Sequence, residues 1–127
     1  MSGTDQVTMG LMVRALDAAS LRHQTIAGNL ANANSVGYRP LRVNFEEQLG
    51  FARQALGQST GRLSAADLNG VRAFIEQEPA PVAGKAAVMI DQEMVRLAQN
   101  TLQYQALLRG LNHRISILVT AVNEGRR

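Results

Sequence analysis

The chain has 127 residues, a single domain's worth, with 13 basic and 10 acidic side chains for a net charge of +3, and no cysteine. A disulfide framework and a thiolate metal site are therefore excluded, and no apolar run approaches the ~18–20 residues that cross a bilayer. The twelve arginines are scattered, with only Arg126 and Arg127 adjacent, which reads as a solvated surface and not as the clustered footprint of a nucleic-acid binder.

The N-terminal part opens with a single basic residue in its first twenty, Arg14, among polar breaks. It does not read as a cleavable signal peptide, so an exported product would have to be recognised by something else. Met9, Met12, Leu16, Ala19, His23, Ile26, Leu30 and Ala33 step by 3,4,3,4,3,4,3. That alternation keeps one stripe of side chains on one face of a helix, and four heptads of it predict coiled-coil packing. Thr4 or Asp5 is placed to cap the start. Asn32, Asn34, Ser35 and Gly37 crowd the end, where Asn and Gly tolerate the left-handed turn that closes a helix, and Pro40 blocks continuation.

The middle is less regular. Residues 44–56 predict a short amphipathic helix with Phe45, Leu49, Ala52 and Leu56 on one side. Residues 57–70 read as loop. Val71–Gln77 reads as a brief extended segment that Glu78-Pro79-Ala80-Pro81 ends. This third of the chain is too short for a large core of its own.

In the C-terminal part Ile90, Met94, Leu97, Thr101, Tyr104, Leu108, Leu111, Ile115, Leu118 and Val122 step by 4,3,4,3,4,3,4,3,4. A helix over residues 88–124 would be ~55 Å long. Val95 and Leu102 lie on a second face, with Leu107 and Val119 flanking the first. One partner helix covers one stripe. The second face therefore calls either for neighbouring copies or related proteins, or for the middle segment folded back over it.

The chain offers no catalytic constellation. His23 and His113 have no carboxylate three or four residues away, so no helical metal pair exists; His23 falls on the seam and His113 in solvent. Glu46-Glu47, Glu76/Glu78 and Asp91/Glu93 sit at spacings that point to different faces. Asp91 and Glu93 are explained by the positive end of the helix dipole. Ser59, Ser64 and Ser116 lack a nucleophile elbow, the glycines form no phosphate loop, and the few aromatics do not build a base-stacking surface.

The segment Ala27-Gly28-Asn29-Leu30-Ala31-Asn32-Ala33-Asn34-Ser35-Val36-Gly37-Tyr38-Arg39 resembles the signature of the flagellar axial proteins, which closes the N-terminal helix of rod, hook and hook-associated subunits. Asn29, Asn32, Gly37, Tyr38 and Arg39 match it, while Ser35-Val36 stands where Thr-Pro is usual. Glu93-Met94, Asn100 and Tyr104-Gln105-Ala106-Leu107 resemble the C-terminal helix of the same family, in the version closest to its proximal-rod members. Gly84-Lys85-Ala86 replaces the Gly-Asn common before that helix. The resemblance spans the chain except for roughly residues 40–85.

It implies a non-enzymatic subunit exported without signal cleavage and polymerising into a hollow drive shaft across the periplasm. It also implies contact with other copies, other rod proteins, the basal adaptor protein, the membrane ring and the export gate. Neither a cofactor, a nucleic acid nor a small-molecule substrate enters. The expectation is thus one all-α domain over 1–127: an N-terminal helix at 5–35, a short helix and loops at 36–87, and a C-terminal helix at 88–124, the long helices paired as a coiled coil. Leu108 and Leu111 are the expected mid-seam assembly residues. Asn29 and Asn32 are expected to cap the helix end or to bond a neighbour's backbone, and Tyr38 to anchor between helices or between subunits or, equally, to pack within its own subunit. The rival class is a helical binding module that pairs with a heterologous coil.

Overall fold

The structure, a computed structural model, describes residues 3–57 and 64–126, without the side chains of Thr4, Ala52 and residues 55–57. Two long helices dominate: α1, Gly3–Ala31, and α3, Ile90–Glu124. Between them lie strand β1, Leu41–Asn44, helix α2, Glu46–Gly57, a 3₁₀ turn at Asp67–Gly70 and strand β2, Phe74–Gln77. No helix among the described residues is long and apolar enough to cross a membrane.

The frame of two long helices agrees with the spacing in the sequence, and α2 falls within two residues of its expected place. β2 sits inside the segment expected to be extended. β1 was not expected. It pairs antiparallel with β2 in the register Leu41↔Gln77, Arg42↔Glu76, Val43↔Ile75, Asn44↔Phe74, so a small β ribbon is set into the helical fold.

α1 ends where its polar residues fall. Asn32 N–H still reaches Gly28 O at 3.1 Å, after which Ser35 N–H bonds Asn32 O and Tyr38 N–H bonds Ser35 O. Gly37 takes φ +78°, the left-handed conformation in which a side chain would be strained. At the other end the helix already runs at Gly3, so Asp5 lies in its first turn instead of capping it. An acid there still complements the helix dipole.

α1 and α3 run antiparallel, with Asp5 near Arg114, Met12 against Gly110, Ala19 against Asn100 and Asn29 against Glu93. The tip of the Met12 side chain lies over Gly110, where a Cβ would stand 2.8 Å from Met12 Cε. The other side of α1 is clothed by the middle segment. Ala18, Phe45 and Val71 are buried together, with Ala15, Leu49 and Ala73 packed around them. The middle segment thus folds back over α1, and it leaves the second face of α3 bare.

Arginine ties hold this layer in place. Arg14 donates to Val71 O at 3.3 Å and Arg22 to Val43 O at 3.2 Å. Arg39 donates to Glu78 O through Nε at 2.9 Å and Nη2 at 2.5 Å. The reading of the arginines as a solvated surface is corrected at these positions: their charges are spent on backbone carbonyls of another segment. At the 3₁₀ turn, Ser64 N–H and Oγ–H both donate to Asp67 Oδ2 at 2.8 Å, and Asp67 N–H returns a bond to Ser64 Oγ at 3.3 Å. This is a reciprocal capping box.

Candidate functional site

α3 presents its stripe at an angle that spacing alone does not give. Leu97, Leu111 and Leu118 are partly covered, as a seam requires, while Ile90 and Tyr104 on the same line are exposed. The other half of the expected stripe, Met94, Thr101, Leu108, Ile115 and Val122, is exposed. In its place Glu93 and Asn100 turn inward, only 1% and 3% exposed, with Leu107 and Arg114 partly covered. The helix is therefore rotated by roughly 50° from the expected seam, since successive residues are ~100° apart.

A polar cluster explains the rotation at the start of α3. Glu93 accepts from both terminal nitrogens of Arg42, from Arg96 Nη1 at 2.7 Å and from Asn29 Nδ2 at 3.3 Å. Arg42 Nε lies 2.5 Å from Glu78 Oε1, and its Nη1 also donates to Leu41 O at 3.2 Å. A carboxylate held in this way is bidentate with one arginine and neutralised by two. Its removal would take the buried carboxylate from two partly exposed arginines and leave Arg42 with Glu78 alone. Placing Glu93 on the dipole of the first turn was thus incomplete. Its bidentate partner, Arg42, comes from β1, 51 residues earlier in the chain.

Asn29 is buried to 0% exposure and uses every hydrogen-bonding position it has. Nδ2 donates to Leu41 O at 2.9 Å and to Glu93, while Oδ1 accepts from Leu41 N–H at 2.9 Å and Tyr38 Oη–H at 2.7 Å. The side chain behaves as a peptide group that continues the edge of β1. Neither expected role survives for Asn29, because no donor or acceptor is left for a helix cap or for a neighbouring subunit. Tyr38 is drawn by the same bond into packing within the subunit. Asn32 does close the helix: Nδ2 donates to Gly28 O at 2.8 Å and Oδ1 accepts from Ser35 Oγ at 3.3 Å. Gly37 makes the turn, and Arg39 ties it to Glu78.

Seven residues beyond Glu93, Asn100 Nδ2 donates to Ala19 O at 2.8 Å. Its Oδ1 is buried and meets no donor among the described residues. Open grooves of about 290 and 280 Å³ flank it, the first beside Arg22 and Gln103, the second beside His23 and Tyr104. His23, expected within the seam, is exposed on the rim, and His113 is exposed too. No group of three His, Asp or Glu among the described residues is placed to hold a metal ion.

The motif residues of the sequence thus divide. Asn29, Tyr38, Glu93 and Asn100 converge on the buried side of the helix pair. Met94 and Leu108 belong to the outward track; Val95, Leu102, Ile117 and Val119, off that track, are exposed as well. Gln105 is exposed, and Leu111 is partly covered. The residues missed in the sequence are Arg42 and Arg96. Arg96 stands three residues from Glu93, a spacing at which helical side chains meet, whereas nothing local announces Arg42.

Comparison with known proteins brings a family model and several relatives to the same reading. The model for "Flagella basal body rod protein" matches residues 12–39, which hold Asn29, Asn32 and Tyr38. The flagellar basal body rod protein FlgB of Cereibacter sphaeroides is 30% identical over 118 residues, covering 90% of this chain and 92% of that protein. The protein of the same name in Bacillus subtilis is 24% identical over 123 residues, with 94% and 95% covered. That of Aeromonas hydrophila is 26% identical over 119 residues, with 89% and 90% covered.

Proposed function

Because the chain belongs to the family of flagellar basal body rod proteins, we propose that it is a structural, non-enzymatic subunit of the rod, placed in its proximal part. It is one domain, and it polymerises through its two terminal helices into the hollow shaft that carries torque from the membrane ring toward the distal rod and hook. Its partners are further copies of itself and other rod proteins, with the basal adaptor, the membrane ring and the export gate at the inner end. It reaches the basal body through the flagellar export route without cleavage.

The observation that carries this reading is the outward face of α3. Met94, Val95, Leu102, Leu108, Ile115, Ile117, Val119 and Val122 are exposed along most of a 35-residue helix. Exposed apolar side chains on more than one side of a small subunit's helix mark interaction surfaces. Each such side chain contributes about 1.5–3 kcal/mol when it is fully buried. A contact between two different faces that does not close into a ring builds a helical array. The coiled-coil pairing expected from the 3/4 spacing is completed between subunits, by the track that α1 does not cover. In this arrangement Met94, Gln105 and Leu108 are contact residues, while Asn29, Tyr38, Glu93 and Asn100 shape the subunit that presents them.

Deleting the gene and imaging isolated basal bodies by electron microscopy tests the reading. The expected result is rings without a rod and non-motile cells, restored by the wild-type gene. Basal bodies with complete rods in the deletion strain would overturn it.

A further inference from the structure

Two heptad tracks on α3 compete for the same place against α1. Both share Leu97, Tyr104, Leu111 and Leu118. The inner one adds Glu93, Asn100, Leu107 and Arg114; the outer one adds Met94, Thr101, Leu108, Ile115 and Val122. Apolar burial alone favours the outer set, which contains no charge, over a set with two charges and an amide. The structure nevertheless buries Glu93 and Asn100 and leaves the outer set exposed. Something other than the hydrophobic effect must choose the rotation.

The choosing contacts are placed at both ends of the upper half of the pair. Glu93 is held by Arg42, Arg96 and Asn29. Asn100 reaches a main-chain carbonyl of α1, Ala19 O, at 2.8 Å beside the buried Ala19 side chain. Rotating the helix to the outer track would leave Arg42 facing Met94 and would break the bond to Ala19. The Asn100 side chain is also poorly matched to its site in terms of stability, since its Oδ1 has no donor among the described residues. A buried polar group retained at a cost is best attested as a device that fixes register in coiled coils.

We infer that Glu93 and Asn100 are register-setting residues: they fix the rotation of α3 against α1 and so decide which face of α3 is offered to the next subunit. Without them the helix turns its most apolar track inward, and the subunit hides the surface it needs for assembly. The rotation stands on the geometry alone. The consequence for assembly rests on the rod-subunit reading.

The absence of cysteine allows a direct test. Single reporters, Leu107→Cys and Leu108→Cys, are labelled with a thiol reagent in the isolated, dilute full-length chain. In the parent, position 108 reacts faster than position 107. In an Asn100→Leu background the ratio is expected to fall at least threefold or to reverse, with helix content kept and the melting temperature equal or higher. Adding Glu93→Gln, which keeps size and some hydrogen bonding, should move the ratio further. Asn100→Leu subunits should be exported but fail to form rods. An unchanged labelling ratio overturns the inference, and so does a lower melting temperature in Asn100→Leu, the mark of a merely structural residue. Rods formed normally from subunits with a reversed ratio overturn the link between rotation and assembly. The rod-subunit reading itself fails only if rods form in the deletion strain.

Discussion

α1 and α3 carry the same 3/4 spacing, yet the fold treats them differently. α1 is covered twice, by α3 on one side and by the Phe45–Val71 layer on the other, so that Ala18, Ala19, Thr25, Ile26 and Asn29 are all buried. α3 is covered once, and its two most buried residues are polar. Periodicity therefore reports that a helix has an apolar stripe, but not how many partners it will find inside its own chain. Small side chains mark the covered helix: Ala15, Ala18 and Ala19 let neighbours approach from two directions. Large aliphatic side chains, left outside, mark the helix that waits for a neighbour.

The sharpest way to break this contrast is to place the same charge on each helix. Ala18→Asp puts a carboxylate into the layer between α1 and Val71, where the nearest cations, Arg14 and Arg22, are already engaged on the carbonyls of Val71 and Val43. It should cost more than about 3 kcal/mol and unfold the middle segment. Loss of the cooperative thermal transition in circular dichroism would register it. Leu108→Asp places the charge at a position 39% exposed. The isolated subunit should lose less than about 1 kcal/mol, while rods and swimming are abolished because the neighbour must close over that site. Swim-plate diameter together with thermal melts separates the two cases. A Leu108→Asp subunit that melts as early as Ala18→Asp would erase the distinction between a covered and an uncovered helix.

A smaller effect is expected at the 3₁₀ turn. The bonds from the Ser64 backbone N–H and hydroxyl hold the Asp67 carboxyl below its usual range. A folded-state value lower than the unfolded one stabilises the fold above the unfolded pKa of about 4, and that contribution disappears as pH falls through the folded value. Asp67→Asn should therefore lower the melting temperature slightly near neutrality, with the difference vanishing in acid. A difference that grows in acid would show that the capping box is not the cause. The smallest effects belong to the exposed histidines. His23→Gln and His113→Gln should leave both stability and swimming near normal. Lost motility in a well-exported histidine variant would reopen the search for chemistry.

Much of this architecture is legible in the sequence because it rests on local rules. The long helices follow from spacing, the end of α1 from Asn32 and Gly37, and α2 from the face made by Phe45 and Leu49. What stays hidden is non-local. β1 is a four-residue strand whose partners are β2, more than thirty residues away, and the side chain of Asn29, which imitates a strand edge. The rotation of α3 is hidden for the same reason, since Glu93 finds Arg42 only after the chain has folded twice. A buried Glu and a buried Asn on an otherwise apolar helix carry no mark in a periodicity scan. The family signature alone singled out Asn100, and for Glu93 the local sequence offered only its place in the first turn.

One consequence lies in how the arginines grip. Arg14, Arg22 and Arg39 take hold of the carbonyls of Val71, Val43 and Glu78. A carbonyl is present whatever residue occupies the position. The hold on the middle segment is thus indifferent to many of its side chains, and substitutions can accumulate there without releasing it from α1. Mutational scanning of residues 71–78 should find tolerance wherever a side chain points outward, bounded by Val71 and Ala73. The body of the subunit is free to drift in sequence while its geometry stays constant, as a repeating part of a larger assembly requires.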